Sequence, residues 1–123
     1  MIIPGFRFAA IAAGLKKTGA PDLALMVADE PAAAAGVFTT NLVKAAPVLL
    51  SQRRLRGGRA QAILVNAGNA NACTGPEGLE DARETTLGVA ELLKIPERLV
   101  LPPPPGSSGN RCRWRKSPRR CPN

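Results

Sequence analysis

Apolar positions along this chain fall into short runs, separated by breaks rich in Gly, Pro and Asn. Asp22 to Ala28 is mostly apolar with weak alternation, the pattern of a strand buried on both faces. Ala34 to Thr39 is a second candidate, whose alanines leave helix and strand both open. Val43 to Leu50 is a third apolar run, and its Pro47 suits an edge position or a break, because proline cannot donate to a sheet ladder. Arg53-Arg54-Leu55-Arg56-Gly57-Gly58-Arg59 reads as a basic turn, a solvated connection rather than a binding patch. Ala60 to Asn66 is the clearest strand, centred on Ile63, Leu64 and Val65.

A change of period follows. Leu79, Ala82, Thr86, Val89 and Leu93 recur at steps of three and four, which predicts one helix over about residues 75–94 with a single buried ridge. Thr74 and Glu77 have capping-box spacing, Pro76 falls in the first turn, and Pro96 is the expected stop. Arg98 to Leu101 looks like the next strand. Strands mixed with one clear helix predict an α/β domain.

Charge divides the chain at Leu101. Residues 1–101 carry eleven Lys and Arg against all nine Asp and Glu, whereas residues 102–123 carry six basic side chains and no acid. The second part opens on Pro102-Pro103-Pro104-Pro105-Gly106 and has no hydrophobic period, so it is expected to be disordered. We therefore divide the chain into a domain segment, 1–101, and a Pro-rich then basic tail, 102–123. Three readings compete for the tail: a nucleic-acid-binding arm built on clustered Arg and Trp114, a polyproline linker, and translation out of frame.

The remaining composition narrows the chemistry. A chain of 123 residues holds one small domain at most. It has no His, the commonest general base and metal ligand. Cys73, Cys112 and Cys121 make an odd count without C-x-x-C spacing, which argues against zinc and against a disulfide framework. No metal or cofactor is expected. No apolar run is long enough to span a bilayer and the start lacks secretory character, so the expected location is the cytoplasm.

The most distinctive segment is the polar turn between the clearest strand and the helix, Asn66-Ala67-Gly68-Asn69-Ala70-Asn71-Ala72-Cys73-Thr74-Gly75. Asn and Gly tolerate bent backbone, and Asn amides bond readily to nearby main chain. Asn66, Asn69 and Asn71 are candidate substrate-binding residues, with turn formation as their more ordinary role. Lys44 could meet a carboxylate, though a solvated charge is the more ordinary reading. Cys73, just before the helix start, could have a lowered thiol pKa; a small buried cysteine is the more ordinary alternative.

This string resembles the bifunctional ornithine acetyltransferase (glutamate N-acetyltransferase) family of arginine biosynthesis. The resemblance extends to Pro4-Gly5-Phe6-Arg7, Ala12-Ala13-Gly14-Leu15-Lys16-Lys17, Pro21-Asp22-Leu23-Ala24-Leu25-Met26, Ala35-Gly36-Val37-Phe38-Thr39-Thr40-Asn41 and Val43-Lys44-Ala45-Ala46-Pro47-Val48, in family order. It runs from about Pro4 to Leu101 and covers less than half of a family chain, an incomplete amino-terminal segment. The resemblance implies acetyl transfer from N-acetylornithine to glutamate, with acetyl-CoA as a further donor in some members. It also implies a self-cleaved precursor whose new amino-terminal threonine is the nucleophile, with its own amine as base, on a carboxy-terminal β chain that would be this chain's partner.

Pro102 to Gly109, read from the third base of the first codon, is compatible with Ala-Ser-Thr-Gly-Val-Ile-Gly, and Arg113-Trp114-Arg115-Lys116 with Pro-Met-Glu-Lys. Both resemble the family's next signatures, so the out-of-frame reading of the tail is preferred and nucleic-acid binding is the alternative. The family's oxyanion-hole Thr-Gly would fall where Pro104, Pro105 and Gly106 stand, and proline has no N–H to donate. Thr18, Thr39, Thr40, Thr74, Thr85 and Thr86 all precede the expected nucleophile. No catalytic residue is therefore assigned, and the chain alone is expected to be an inactive fragment, poorly soluble or partly molten.

Overall fold

The computed structural model describes residues 3–14, 18–67 and 75–103. Their elements run β1 (Phe6–Ile11), β2 (Leu23–Ala33), α1 (Ala46–Leu55), β3 (Arg59–Asn66), α2 (Gly75–Leu93), a short 3-10 turn (Glu97–Leu99) and β4 (Val100–Leu101). One mixed sheet of order β1-β2-β3-β4 results, antiparallel across β1-β2 and β2-β3 and parallel across β3-β4. This is the α/β class that the sequence predicts.

The two helices pack against each other and against β3 and β4. Alternate residues of β3, Ala60, Ala62 and Leu64, are buried beneath them, while Ile63 and Val65 point to the opposite face. Val27, Ala62, Ala90 and Val100 form the core cluster, walled by Leu25, Val89, Leu93 and Ile95. The predicted ridge of α2 is in place: Ala82 and Thr86 are buried, and Leu79, Val89 and Leu93 are half-buried. Thr86 is wholly enclosed, and its hydroxyl donates to the Ala82 carbonyl at 3.1 Å and to that of Arg83 at 2.9 Å, so burial leaves it satisfied.

Several elements depart from expectation, each for a physical reason. Val43 to Leu50 is neither an edge strand nor a break, because α1 begins at Ala46. Pro47 sits in its first turn, where the missing N–H costs nothing and the fixed φ suits a helix. Ala46, Pro47 and Leu50 are its buried side, so the described residues hold two α-helices rather than one. Ala34 to Thr39 is irregular, with Gly36 close against Leu55 and Phe38: a Cβ there would lie 2.9 Å from Leu55 Cδ1. Strand β2 is longer than the apolar run that announces it, carrying a register shift between Val27 and Ala32, and is buried at Val27 and Ala28 rather than on both faces throughout.

The basic turn is also shorter than predicted. Arg53 and Arg54 close α1, where cations favour the helix dipole, and the turn proper is Arg56 to Gly58. Gly58 takes φ +67, which only glycine adopts freely. Helix α2 stops before Pro96 can stop it. Lys94 adopts φ 55, and the Ile95 N–H reaches the Ala90 carbonyl at 3.1 Å while that of Lys94 reaches Glu91 at 3.3 Å, the paired bonds of a Schellman cap. The expected strand at Arg98 shrinks to Val100–Leu101, because Glu97 to Leu99 form the 3-10 turn.

Strand β1 has no counterpart in the hydrophobic pattern. All six of its residues are exposed, since it lies at the sheet edge beyond the reach of the helices, and no burial period marks it. Its pairing with β2 over six register positions defines it instead. The Thr74 half of the capping box and the whole tail from Pro104 onward lie outside the described residues.

Candidate functional site

The end of the sheet where β1 finishes, β2 starts and β3 leaves is organised by Asp22. Its carboxylate Oδ1 accepts the Ala13 N–H at 2.6 Å, its own N–H donates to the Ile11 carbonyl at 3.0 Å, and its carbonyl accepts the Ala67 N–H at 2.8 Å. One nearly enclosed residue, immediately before β2, therefore joins the end of β1, the segment after it and the exit from β3. The sequence offers only a Pro-Asp pair before a strand, a common turn signal, so this role was not legible from it.

Asn66 closes β3 at this same end, paired in register with Leu23. It falls on the helix-covered row with Ala62 and Leu64. Among the described residues its Oδ1 is a buried side-chain acceptor without a hydrogen-bond partner. Leaving a buried carbonyl unpaired costs about 1–3 kcal/mol, so such an atom calls for an explanation beyond packing. Of the three candidate asparagines, Asn66 is the one whose surroundings are described; Asn69, Asn71 and Cys73 lie outside the described residues. Lys44 is half-buried just before α1. Nothing described brings it to Asn66.

A second polar cluster was missed altogether. The Arg54 guanidinium, 7% exposed at the end of α1, donates to Glu97 Oε1 and to the Val100 carbonyl. Arg83 of α2 approaches the same Glu97 oxygen at 3.7 Å. Burial pulls Arg54 below its ordinary pKa, Glu97 opposes that fall and Arg83 adds to it. Glu97 thus ties both helices to the 3-10 turn and β4. Within a run of four arginines nothing in the sequence singles out Arg54, and its acid lies beyond a helix.

Three of the described threonines serve local structure. Thr85 donates to the Asp81 carbonyl at 2.8 Å, Thr86 is bonded as above, and Thr39 Oγ1 accepts the Asn41 N–H at 3.2 Å. Among the described residues no group of three or more His, Cys, Asp or Glu could hold a metal ion, and no helix is long and apolar enough to cross a membrane. What the sheet end presents is a rigid backbone corner with one free carboxamide acceptor. That arrangement can orient an amine or amide group.

Comparison with known proteins sets this corner in context. A model of the ArgJ family matches residues 7–122, past the Leu101 where recognisable signatures stop. An arginine biosynthesis bifunctional protein ArgJ from Geobacter sulfurreducens is 57% identical over 101 residues, covering 82% of this chain and 26% of the relative. One from Nitratidesulfovibrio vulgaris is 46% identical over 117 residues, covering 92% and 30%. Among solved structures, ornithine acetyltransferase from Mycobacterium tuberculosis, complexed with ornithine, superposes with a TM-score of 0.82 at 47% identity, covering 88% of this chain and 59% of that chain. The Bacillus halodurans ArgJ structure gives 0.81 at 40% identity, covering 87% and 56%. This chain spans about a quarter of the length of the curated relatives it matches.

Proposed function

The chain belongs to the ArgJ family, and from that premise we propose that it is the amino-terminal part of an ornithine acetyltransferase-type enzyme of arginine biosynthesis. The reaction would move the acetyl group of N-acetylornithine to the amine of glutamate, with acetyl-CoA as a further donor, in the cytoplasm. The carrying observation is the close superposition on an ornithine-bound acetyltransferase at high sequence identity. On this reading the chain supplies scaffold and one wall of a substrate site, for which Asn66, Asn69 and Asn71 remain the candidate binding residues.

The chemistry needs groups that this chain does not contribute. Acetyl transfer through a covalent intermediate requires a nucleophile with an adjacent base, and donors for the tetrahedral oxyanion. Thr85 and Thr86 donate their hydroxyls to backbone carbonyls within α2, and Pro104 and Pro105 have no N–H to offer. We accordingly read the tail as out of frame and the chain as inactive by itself, with the family's carboxy-terminal β chain as its missing partner.

The test is ornithine release from N-acetylornithine and glutamate. The 123-residue chain is expected to give none. The gene is then sequenced across codons 98–125 and onward, and expressed in the frame that places Ser-Thr-Gly-Val-Ile-Gly after Leu101. Turnover from that product supports the proposal. Turnover by the chain alone, or the lack of any such downstream frame, overturns the fragment reading. Salt-sensitive binding of DNA or RNA lost on deleting residues 106–123 would instead favour a basic arm.

A further inference from the structure

Strands β3 and β4 run parallel, so both leave the sheet at the end where Asp22 and Asn66 sit. Their register pairs Ala62 with Val100 and Ile63 with Leu101. Neighbouring strands lie about 4.8 Å apart, and paired residues send their side chains to the same face. Ala62 and Val100 are accordingly both buried in the core cluster. Carried three residues further, the register would bring position 104 level with Asn66, on that same covered face. Strand β4 does not run so far. It ends at Leu101, where Pro102, Pro103, Pro104 and Pro105 begin, and proline cannot donate to a ladder.

Two separate observations meet at this point. Asn66 Oδ1 is enclosed and, among the described residues, has no hydrogen-bond donor. The four residues that follow β4 have none to give, because each is a proline with neither an N–H nor a polar side chain. The shifted frame reads Ala-Ser-Thr-Gly over the same four positions, which supplies an N–H at every one and two hydroxyls besides. Buried acceptors are seldom left unpaired in a native fold. Here the acceptor is present, and its donors are what the change of frame removes.

We propose that Asn66 is a positioning residue: in the restored frame its Oδ1 accepts a hydrogen bond from the residue at position 104 and so fixes the Ser-Thr-Gly segment against the end of β3. This rests on the reading of the tail as out of frame, and it gives Asn66 a task distinct from touching substrate. Oxyanion donors are effective when they are held in place before the reaction begins. An amide oxygen bonded to the segment that carries them ties them to the sheet.

The first test needs no activity. Pro102→Ala, Pro103→Ser, Pro104→Thr and Pro105→Gly are introduced together into the 123-residue chain, and Asn66→Ala is made with and without them. In urea unfolding, Asn66→Ala should raise the midpoint of the chain as it stands and lower that of the replaced chain, a coupling of about fivefold or more in the unfolding constant. Pro104→Thr alone serves as a second background if the fourfold replacement does not fold, and the same reversal is expected there. Equal shifts in both backgrounds, or a midpoint that falls in the chain as it stands, overturn the proposal. The second test uses the enzyme expressed in the restored frame. Asn66→Ala should lower kcat about tenfold or more and raise the KM for N-acetylornithine no more than about threefold, because the segment rather than the substrate loses its partner. A KM effect with kcat unchanged would make Asn66 a substrate contact and end the positioning role. An inactive restored enzyme removes the acetyltransferase reading alone, and the reversal in the chain still decides for or against Asn66. Activity without the reversal keeps that reading and strikes the proposal.

Discussion

Ile63 and Leu64 are neighbours on one strand, similar in size and composition, and live in different environments. Leu64 is buried on the face of β3 that also carries Ala62, while Ile63 looks out from a face that no described element covers. The period-two alternation of a strand guarantees that such a pair points opposite ways. It does not say which side has a partner. The covered face is held by packing and by a buried ion pair; the open face is equally apolar and contributes little to this chain's own stability. Apolar character alone therefore does not locate a core.

Glu97 should give the largest break in that contrast. Replacing it with Ala leaves the Arg54 guanidinium enclosed without its carboxylate, and removal of one partner from a buried pair costs about 3–5 kcal/mol. Urea unfolding should show the midpoint falling by that equivalent. A loss under about 1 kcal/mol would place Arg54 in water instead.

Leu64→Ala and Ile63→Ala form the direct comparison. The first should cost about 2–4 kcal/mol through lost burial and the cavity left behind, the second under about 1 kcal/mol, in the same urea experiment. Equal losses would mean that both faces are covered in solution, and the asymmetry would be gone.

Two smaller effects sharpen the picture at the ends of elements. Asn66→Ala removes an unpaired buried carbonyl, so the chain should gain about 1 kcal/mol rather than lose it. A restored full-length enzyme carrying the same change should bind ornithine more weakly, measured by calorimetry. A destabilised chain would show that Oδ1 has a partner after all. Lys94→Gly relieves a left-handed backbone at the Schellman cap of α2 and should raise the thermal midpoint by a few degrees, about 1 kcal/mol or less.

Much of this was legible because local rules coincide with tertiary outcome. The helix over Gly75–Leu93 was announced by its period, and β3 by its apolar centre between polar breaks. Helix α1 was not, because Pro47 within an apolar run fits a strand edge and a helix first turn equally well, and only packing of Ala46 and Leu50 decides between them. Strand β1 escaped for the opposite reason. Exposed on both faces, it carries no burial signal at all. At the candidate site, the sequence pointed to the Asn-rich turn, and the structure describes only its first asparagine while adding Asp22 as the residue that joins three segments.

By itself the sequence determined the α/β class, the family, the long helix with its ridge, and the break in charge and composition at Leu101, since each is written in consecutive or periodically spaced residues. Tertiary structure alone decided that Arg54 is buried rather than solvated, that Glu97 is its partner forty-three positions away, and which of two apolar sheet faces the described helices cover. Those outcomes depend on which distant segments meet. Chain order does not encode that meeting locally; the free energy of packing selects it.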